Sequence, residues 1–184
     1  MQRIYTSLLV IIVSITTSCK KDGNNNTPDP NNIPGLPPAT QSGANTFGCL
    51  VNGVPWVPEG YGGGSPNLSI DYDPGFNNGI FNIVAKKITM SENTQIIIGV
   101  RDSLNFVIDS QSYNLIRDGL YGSYYFNNCR LFSGDSTTNI IFGSMKISKL
   151  DRQKRIIAGS FDFSFMSNIC DTVSVTQGRF DFKF

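Results

Sequence analysis

From Thr46 to Phe184 apolar and polar residues alternate with a period of two, the spacing of strands that rest one face on a core. Leu68, Ile70 and Tyr72 alternate with Ser69, Asp71 and Asp73. Ile157, Gly159, Phe161, Phe163 and Phe165 alternate with Ala158, Ser160, Asp162, Ser164 and Met166. Phe180, Phe182 and Phe184 alternate with Arg179, Asp181 and Lys183. Val173 and Val175 carry the opposite phase, which predicts a bulge over Thr176-Gln177-Gly178, with Gly178 taking the unusual backbone angles. Clusters of turn formers at 60–66, 73–79, 91–94, 118–122, 133–138 and 151–154 separate the strands. Ser148 to Arg155 comes nearest to an amphipathic helix and reads better as a turn. The pattern predicts an all-β domain of about eight to ten antiparallel strands, joined as hairpins and meanders. A β-sandwich and a partly closed β-barrel both satisfy it. A domain of roughly 140 residues buries about two-thirds of its unfolded surface and stands alone.

Upstream of Thr46 the pattern changes twice. Arg3, the apolar run Leu8 to Ile15 and the small polar residues Thr16, Thr17 and Ser18 read as an export signal over 1–18. The run is shorter than the about 20 residues a permanent membrane helix needs. Cys19 directly after those small residues resembles the cleavage box of bacterial lipoproteins, although Thr16 stands where Leu is commonest. The resemblance implies that Cys19 is the acylated first residue of the mature chain. Several acyl chains, at about 0.8 kcal/mol per buried CH₂, hold a protein on a membrane where one would not. Residues 19–45 carry Asn24-Asn25-Asn26, Pro28-Asp29-Pro30 and Pro37-Pro38, with only Ile33 and Leu36 as sizeable apolar residues. This composition predicts a disordered tether between the anchor and a folded domain over 46–184.

Composition then removes whole classes of function. The 184 residues carry 15 basic and 14 acidic side chains and no histidine. Near-neutral charge lacks the footprint of a nucleic-acid binder. Without histidine there is no Ser-His-Asp or Cys-His nucleophile system and no imidazole metal site.

Phe47-Gly48-Cys49-Leu50-Val51-Asn52-Gly53 with Trp56, and Gly143-Ser144-Met145-Lys146-Ile147-Ser148-Lys149-Leu150-Asp151, resemble an uncharacterised Bacteroidetes lipoprotein family. Ile157-Ala158-Gly159-Ser160-Phe161-Asp162-Phe163 and the terminal Thr176-Gln177-Gly178-Arg179-Phe180-Asp181 extend the match over the whole mature domain. The resemblance implies an outer-membrane lipoprotein of the bacterial envelope with no assigned activity, so no catalytic residue is carried over. In that family, Lys and acidic residues soon after the lipidated Cys favour export to the cell surface. Asp22 is the one early acid here, and the periplasmic and outer faces both stay open.

The candidate chemistry competes with plainer readings. Tyr121, Tyr124, Tyr125 and Phe126 form the densest aromatic cluster, and with Trp56 and Tyr61 they could line a platform for sugars or flat apolar ligands. Core packing explains the same residues, and alternation puts Tyr124 and Phe126 on one face and Tyr125 on the other. Asp71 and Asp73 open a run of oxygen ligands at alternate positions, as a calcium loop does. Phe76 stands where such a loop needs glycine, however, and a strand end entering a Pro-Gly turn accounts for both aspartates. Gly60-Tyr61-Gly62-Gly63-Gly64-Ser65 lacks the Lys and the helix of a phosphate loop. Asp162 and Asp181 could form a glycosidase pair, but Arg179 and Lys183 beside them predict a solvated charge ladder. Asp102-Ser103-Leu104, Asp135-Ser136-Thr137 and Asp171-Thr172-Val173 resemble a short O-glycosylation pattern and equally read as turns.

Three cysteines beyond Cys19 face an oxidising compartment. Cys49 shares the phase of Phe47 and Val51 and is predicted to be a buried free thiol. Cys129 and Cys170 lie at polar strand ends and are predicted to pair. Chain entropy does not choose between this bridge and 49–129, each being worth roughly 4–4.5 kcal/mol.

The function expected is a non-enzymatic, lipid-anchored binding or structural module with no cofactor. Its partners are the membrane through the anchor and a glycan or protein, not nucleic acid. A small-ligand or glycan carrier with an aromatic-lined pocket is the alternative, and a hydrolase of envelope polysaccharides the third reading. A closed barrel with an internal cavity beyond about 300 Å³ favours the carrier, and a filled sandwich the interaction module.

Overall fold

The computed structural model describes residues 32–61, 64–76, 79–100, 110–114, 120–126, 129–132, 138–168 and 170–184. Among the described residues, eleven strands form two antiparallel sheets: β1 (Thr46–Val51), β2 (Val54–Trp56), β3 (Leu68–Asp73), β4 (Ile80–Ile88), β5 (Asn93–Val100), β6 (Gln111–Asn114), β7 (Leu120–Phe126), β8 (Cys129–Phe132), β9 (Thr138–Asp151), β10 (Ile156–Ser167) and β11 (Val173–Lys183). One sheet has the order β2-β1-β11-β10-β9-β6 and the other β3-β4-β5-β7-β8. Neither closes on itself. This is a β-sandwich, and the barrel alternative is set aside. The count exceeds the eight to ten expected because β2, β6 and β8 hold only three or four residues, too few to show a period.

The predicted inward residues make the core. Phe161, Phe163, Phe165, Phe180 and Phe182 of the six-stranded sheet face Phe81, Ile83, Ile96 and Ile98 of the other. The Phe81 and Phe180 rings meet across the gap at 6.1 Å, and Tyr72 meets Phe184 at 4.1 Å. A buried phenylalanine contributes roughly 1.5–3 kcal/mol by leaving water, so these rings carry much of the packing.

The phase flip in β11 is real. Phe161 pairs with Gly178 but Phe163 with Val175, so Asp162 faces two residues, Thr176 and Gln177. The left-handed residue is Gln177 (φ 54°) rather than Gly178, and its N–H donates to Asp162 Oδ1 at 2.9 Å. Gly178 has another task. A Cβ there would lie 2.6 Å from the Phe161 ring and against the Phe161 carbonyl. Gly159, opposite Phe180, leaves room for that ring in the same way. Ser148 to Asp151 end β9 and 152–155 make the β9–β10 turn, in keeping with the turn read there from sequence, with the Lys154 N–H donating to Asp151 Oδ1 at 2.9 Å.

Part of the segment read as tether is packed. Gly35 lies against Pro55, and Pro37 against Gly48. Arg179 Nη1 donates to the Pro37 carbonyl at 3.5 Å. Thr40 Oγ1, Ser42 N and Gly43 N donate to the Asp181 carboxylate at 2.6, 2.9 and 2.7 Å. The stretch from 35 to 45 is thus a strap across the outer side of β2, β1 and β11. Composition points to a tether because the strap is held by hydrogen bonds and prolines, not by burial of large apolar side chains. Residues 19–31 lie outside the described residues.

Candidate functional site

Cys129 and Cys170 are bonded, with Cα atoms 6.0 Å apart, inside the range a disulfide needs. Cys49 is free and buried in the core, and burial pushes its thiol up. The bridge ties β8 of the five-stranded sheet to the loop that leads into β11 of the six-stranded one. It therefore staples the two sheets at one end of the sandwich.

A cavity of about 620 Å³ opens beside that staple. Tyr124 and Phe126 of β7 line it together with both half-cystines. Asn52 from the β1–β2 turn and Asn168, Asp171 and Thr172 from the β10–β11 loop supply polar groups around them. Asn52 is fixed twice, its N–H donating to the Ser174 carbonyl and its Oδ1 accepting from the Ser174 N–H, both at 2.8 Å. Tyr124 is buried, and burial with the nearby Glu92 charge pushes its phenol up to about 12. It remains a neutral hydrogen-bonding group at physiological pH. Phe126 is 40% exposed and offers its ring to the opening.

The aromatic candidates separate. Tyr124 and Phe126 come together on the cavity side, and Tyr125 turns to the other face of β7, as alternation predicts. Trp56 does not belong to a platform. It is 3% exposed, and its Nε1–H donates to Thr94 Oγ1 across the sandwich at 2.8 Å. Thr94 in turn donates to Glu92 at 2.9 Å, and Lys87 closes the chain at 2.8 Å. Burial alone would raise the Glu92 carboxyl, but Lys87 and Thr94 hold it below its ordinary value. Tyr61 is 72% exposed in the loop after β2 and does not line the cavity. Tyr121 lies in β7 opposite Gly99.

Asp73 is occupied in a turn, its Oδ1 accepting from the Gly75 N–H at 2.8 Å, and Asp71 is exposed. No group of three His, Cys, Asp or Glu converges among the described residues. The expected solvated ladder is overturned at β11. Asp181 and Arg179 are both buried beneath the strap. Burial would raise Asp181, yet the donors of Thr40, Ser42, Gly43 and Ala44 hold it below its ordinary value. Of the site residues, sequence reasoning missed Asn52, Asn168, Asp171 and Thr172. The predicted bridge was the available signal, since it brings Asn168, Asp171 and Thr172 beside β7. Cys19 lies outside the described residues, as do two of the three O-glycosylation candidates, at 102–104 and 135–137.

Comparison with protein-family models, curated proteins and solved structures finds no match to this chain.

Proposed function

We propose that this protein is a non-enzymatic, lipid-anchored binding module of the bacterial outer membrane, and that it recognises saccharide at the cavity beside Cys129–Cys170. The observation that carries the reading is the pairing of an exposed phenylalanine ring with a buried, neutral tyrosine. Amide, carboxylate and hydroxyl groups surround them in a concavity of about 620 Å³, within the size range of small-molecule sites. An aromatic face takes the apolar side of a sugar ring, and Asn52, Asn168 and Asp171 can take its hydroxyls. The filled core favours recognition at the surface over carriage inside a barrel. Among the described residues, the cavity beside the disulfide has one lining carboxylate, Asp171, and a second cavity on the six-stranded sheet has one, Asp162, where a two-carboxylate hydrolase needs a pair. The export signal and Cys19 support the anchor.

Affinity electrophoresis through gels containing the producing bacterium's envelope polysaccharide tests the binding reading. Retardation of the wild type, lost in Phe126→Ala, is expected. Equal mobility of both proteins with and without polysaccharide would contradict it. For the anchor, mass spectrometry of the membrane-extracted protein is expected to give a chain starting at an acylated Cys19. An unmodified mature N-terminus elsewhere overturns that part.

A further inference from the structure

A second concavity, of about 470 Å³, lies on the outer side of the six-stranded sheet, away from the disulfide end. Its floor is a row of directly paired residues: Lys146 of β9 opposite Ser160 of β10, and Ser160 opposite Arg179 of β11. Neighbouring strands stand about 4.8 Å apart, so two cationic side chains flank one small hydroxyl at roughly 10 Å backbone separation. One wall is the strap, through Thr40 and Gln41. Thr40 and Ser42 are anchored on Asp181, which therefore spends its charge on the strap and not on the groove. Arg179 is held in place by the carbonyls of Gln177 (3.2 Å) and Pro37 (3.5 Å). It is buried, so a counter-charge at the groove offsets part of the desolvation of its guanidinium. Asp162 lines the next row, with one carboxylate oxygen fixed by the bulge N–H of Gln177.

We infer that this groove binds a sugar acid, its carboxylate between Lys146 and Arg179 over Ser160 and its hydroxyls donating to Asp162. The cation pair alone would accept any oxyanion. The carboxylate one row away penalises a bare anion and rewards a ligand that carries hydroxyl donors beside its charge. Hydrogen bonds in which one partner is ionised are the stronger kind, so both ends of such a ligand are served. The site is separate from the Tyr124–Phe126 cavity and does not rest on saccharide binding there.

The test is a titration of the isotope-labelled full chain, followed by backbone amide signals, with glucuronate, glucose and acetate as separate probes at equal ionic strength. Glucuronate is expected to shift the signals of Lys146, Ser160 and Gln177 at concentrations at least tenfold below those at which glucose or acetate acts. Lys146→Glu, an exposed substitution, is expected to weaken glucuronate at least tenfold, and Lys146→Arg to retain it. Equal response to glucose and glucuronate, no response to glucuronate, unchanged binding in Lys146→Glu, or shifts confined to Asn52, Phe126 and Asp171 would each overturn the inference.

Discussion

The two sheets solve the same packing problem differently. The five-stranded sheet packs mainly with aliphatic residues, Ile83, Ala85, Ile96, Ile98 and Val100, and its four strand pairs keep register throughout. The six-stranded sheet packs with Phe47, Phe161, Phe163, Phe165, Phe180 and Phe182, and register shifts interrupt β1–β11, β9–β10 and β10–β11. β-branched side chains fit a regular pleat. Aromatic rings are wider, and here two of them lie across glycines, Phe161 over Gly178 and Phe180 over Gly159. The bulge at Thr176-Gln177 turns Val175 and Phe180 to one side, and that same step leaves Arg179 and Asp181 on the other. The irregular sheet therefore carries the strap and the polar groove, while the regular sheet supplies Tyr124 and Phe126 to the cavity at the disulfide end.

The largest effect is expected where the two sheets are joined. Replacing Cys129 and Cys170 with Ser removes a bridge spanning 41 residues, and the chain-entropy relation gives about 4 kcal/mol. Urea unfolding of oxidised wild type against the double variant measures it. A change below about 1 kcal/mol would mean that the sheets are held together without the staple.

Gly178→Ala is expected to cost about 3 kcal/mol, at the upper end of overpacking, because the new methyl meets the Phe161 ring and carbonyl. Ile98→Val in the regular sheet should cost only about 1 kcal/mol. Thermal unfolding of the two variants reads the contrast. Similar small losses would show that the aromatic sheet can repack freely.

Asp181→Asn is expected to lose about 2 kcal/mol near neutral pH, since charge-assisted bonds to the strap are weakened. The folded pKa of Asp181 lies below its unfolded value. Its contribution is therefore complete above the unfolded value and disappears as pH falls through the folded one. The gap between wild type and variant should narrow below about pH 4. Hydrogen exchange at Ser42 and Gly43 should rise in the variant. Full protection there would mean that other contacts hold the strap.

The smallest change is expected from Thr94→Val, which removes the Thr94 hydroxyl that accepts from the buried Trp56 N–H and costs about 1 kcal/mol. Trp56 fluorescence during denaturant unfolding reports it directly.

These residues also show what the sequence made legible. Period-two alternation over 157–165 and 180–184 identified the phenylalanine faces, because a strand's direction is written in every second residue. The phase break between Val175 and Phe180 located the bulge for the same reason. Side-chain phase placed Cys49 in the core and left Cys129 and Cys170 to pair. For Trp56 a platform and core packing both stay open in the sequence, because a three-residue strand carries no phase. The strap was invisible because Thr40, Ser42 and Gly43 act through hydrogen bonds to one carboxylate 138–141 residues away. Asp181 and Arg179 looked solvated because nothing local announces a cover. At the candidate site, the Tyr124–Phe126 alternation was readable, but Asn52, Asn168 and Asp171 join it only through tertiary closure.

The most direct test of the binding account is a titration of the isotope-labelled protein with oligosaccharides released from bacterial envelope polysaccharide. The account predicts saturable shifts of the backbone signals of Asn52, Phe126, Asp171 and Thr172, abolished in Phe126→Ala while the rest of the spectrum is retained. Saturable shifts at those four positions that persist unchanged in Phe126→Ala, or an unresponsive spectrum at saturating oligosaccharide, would contradict it.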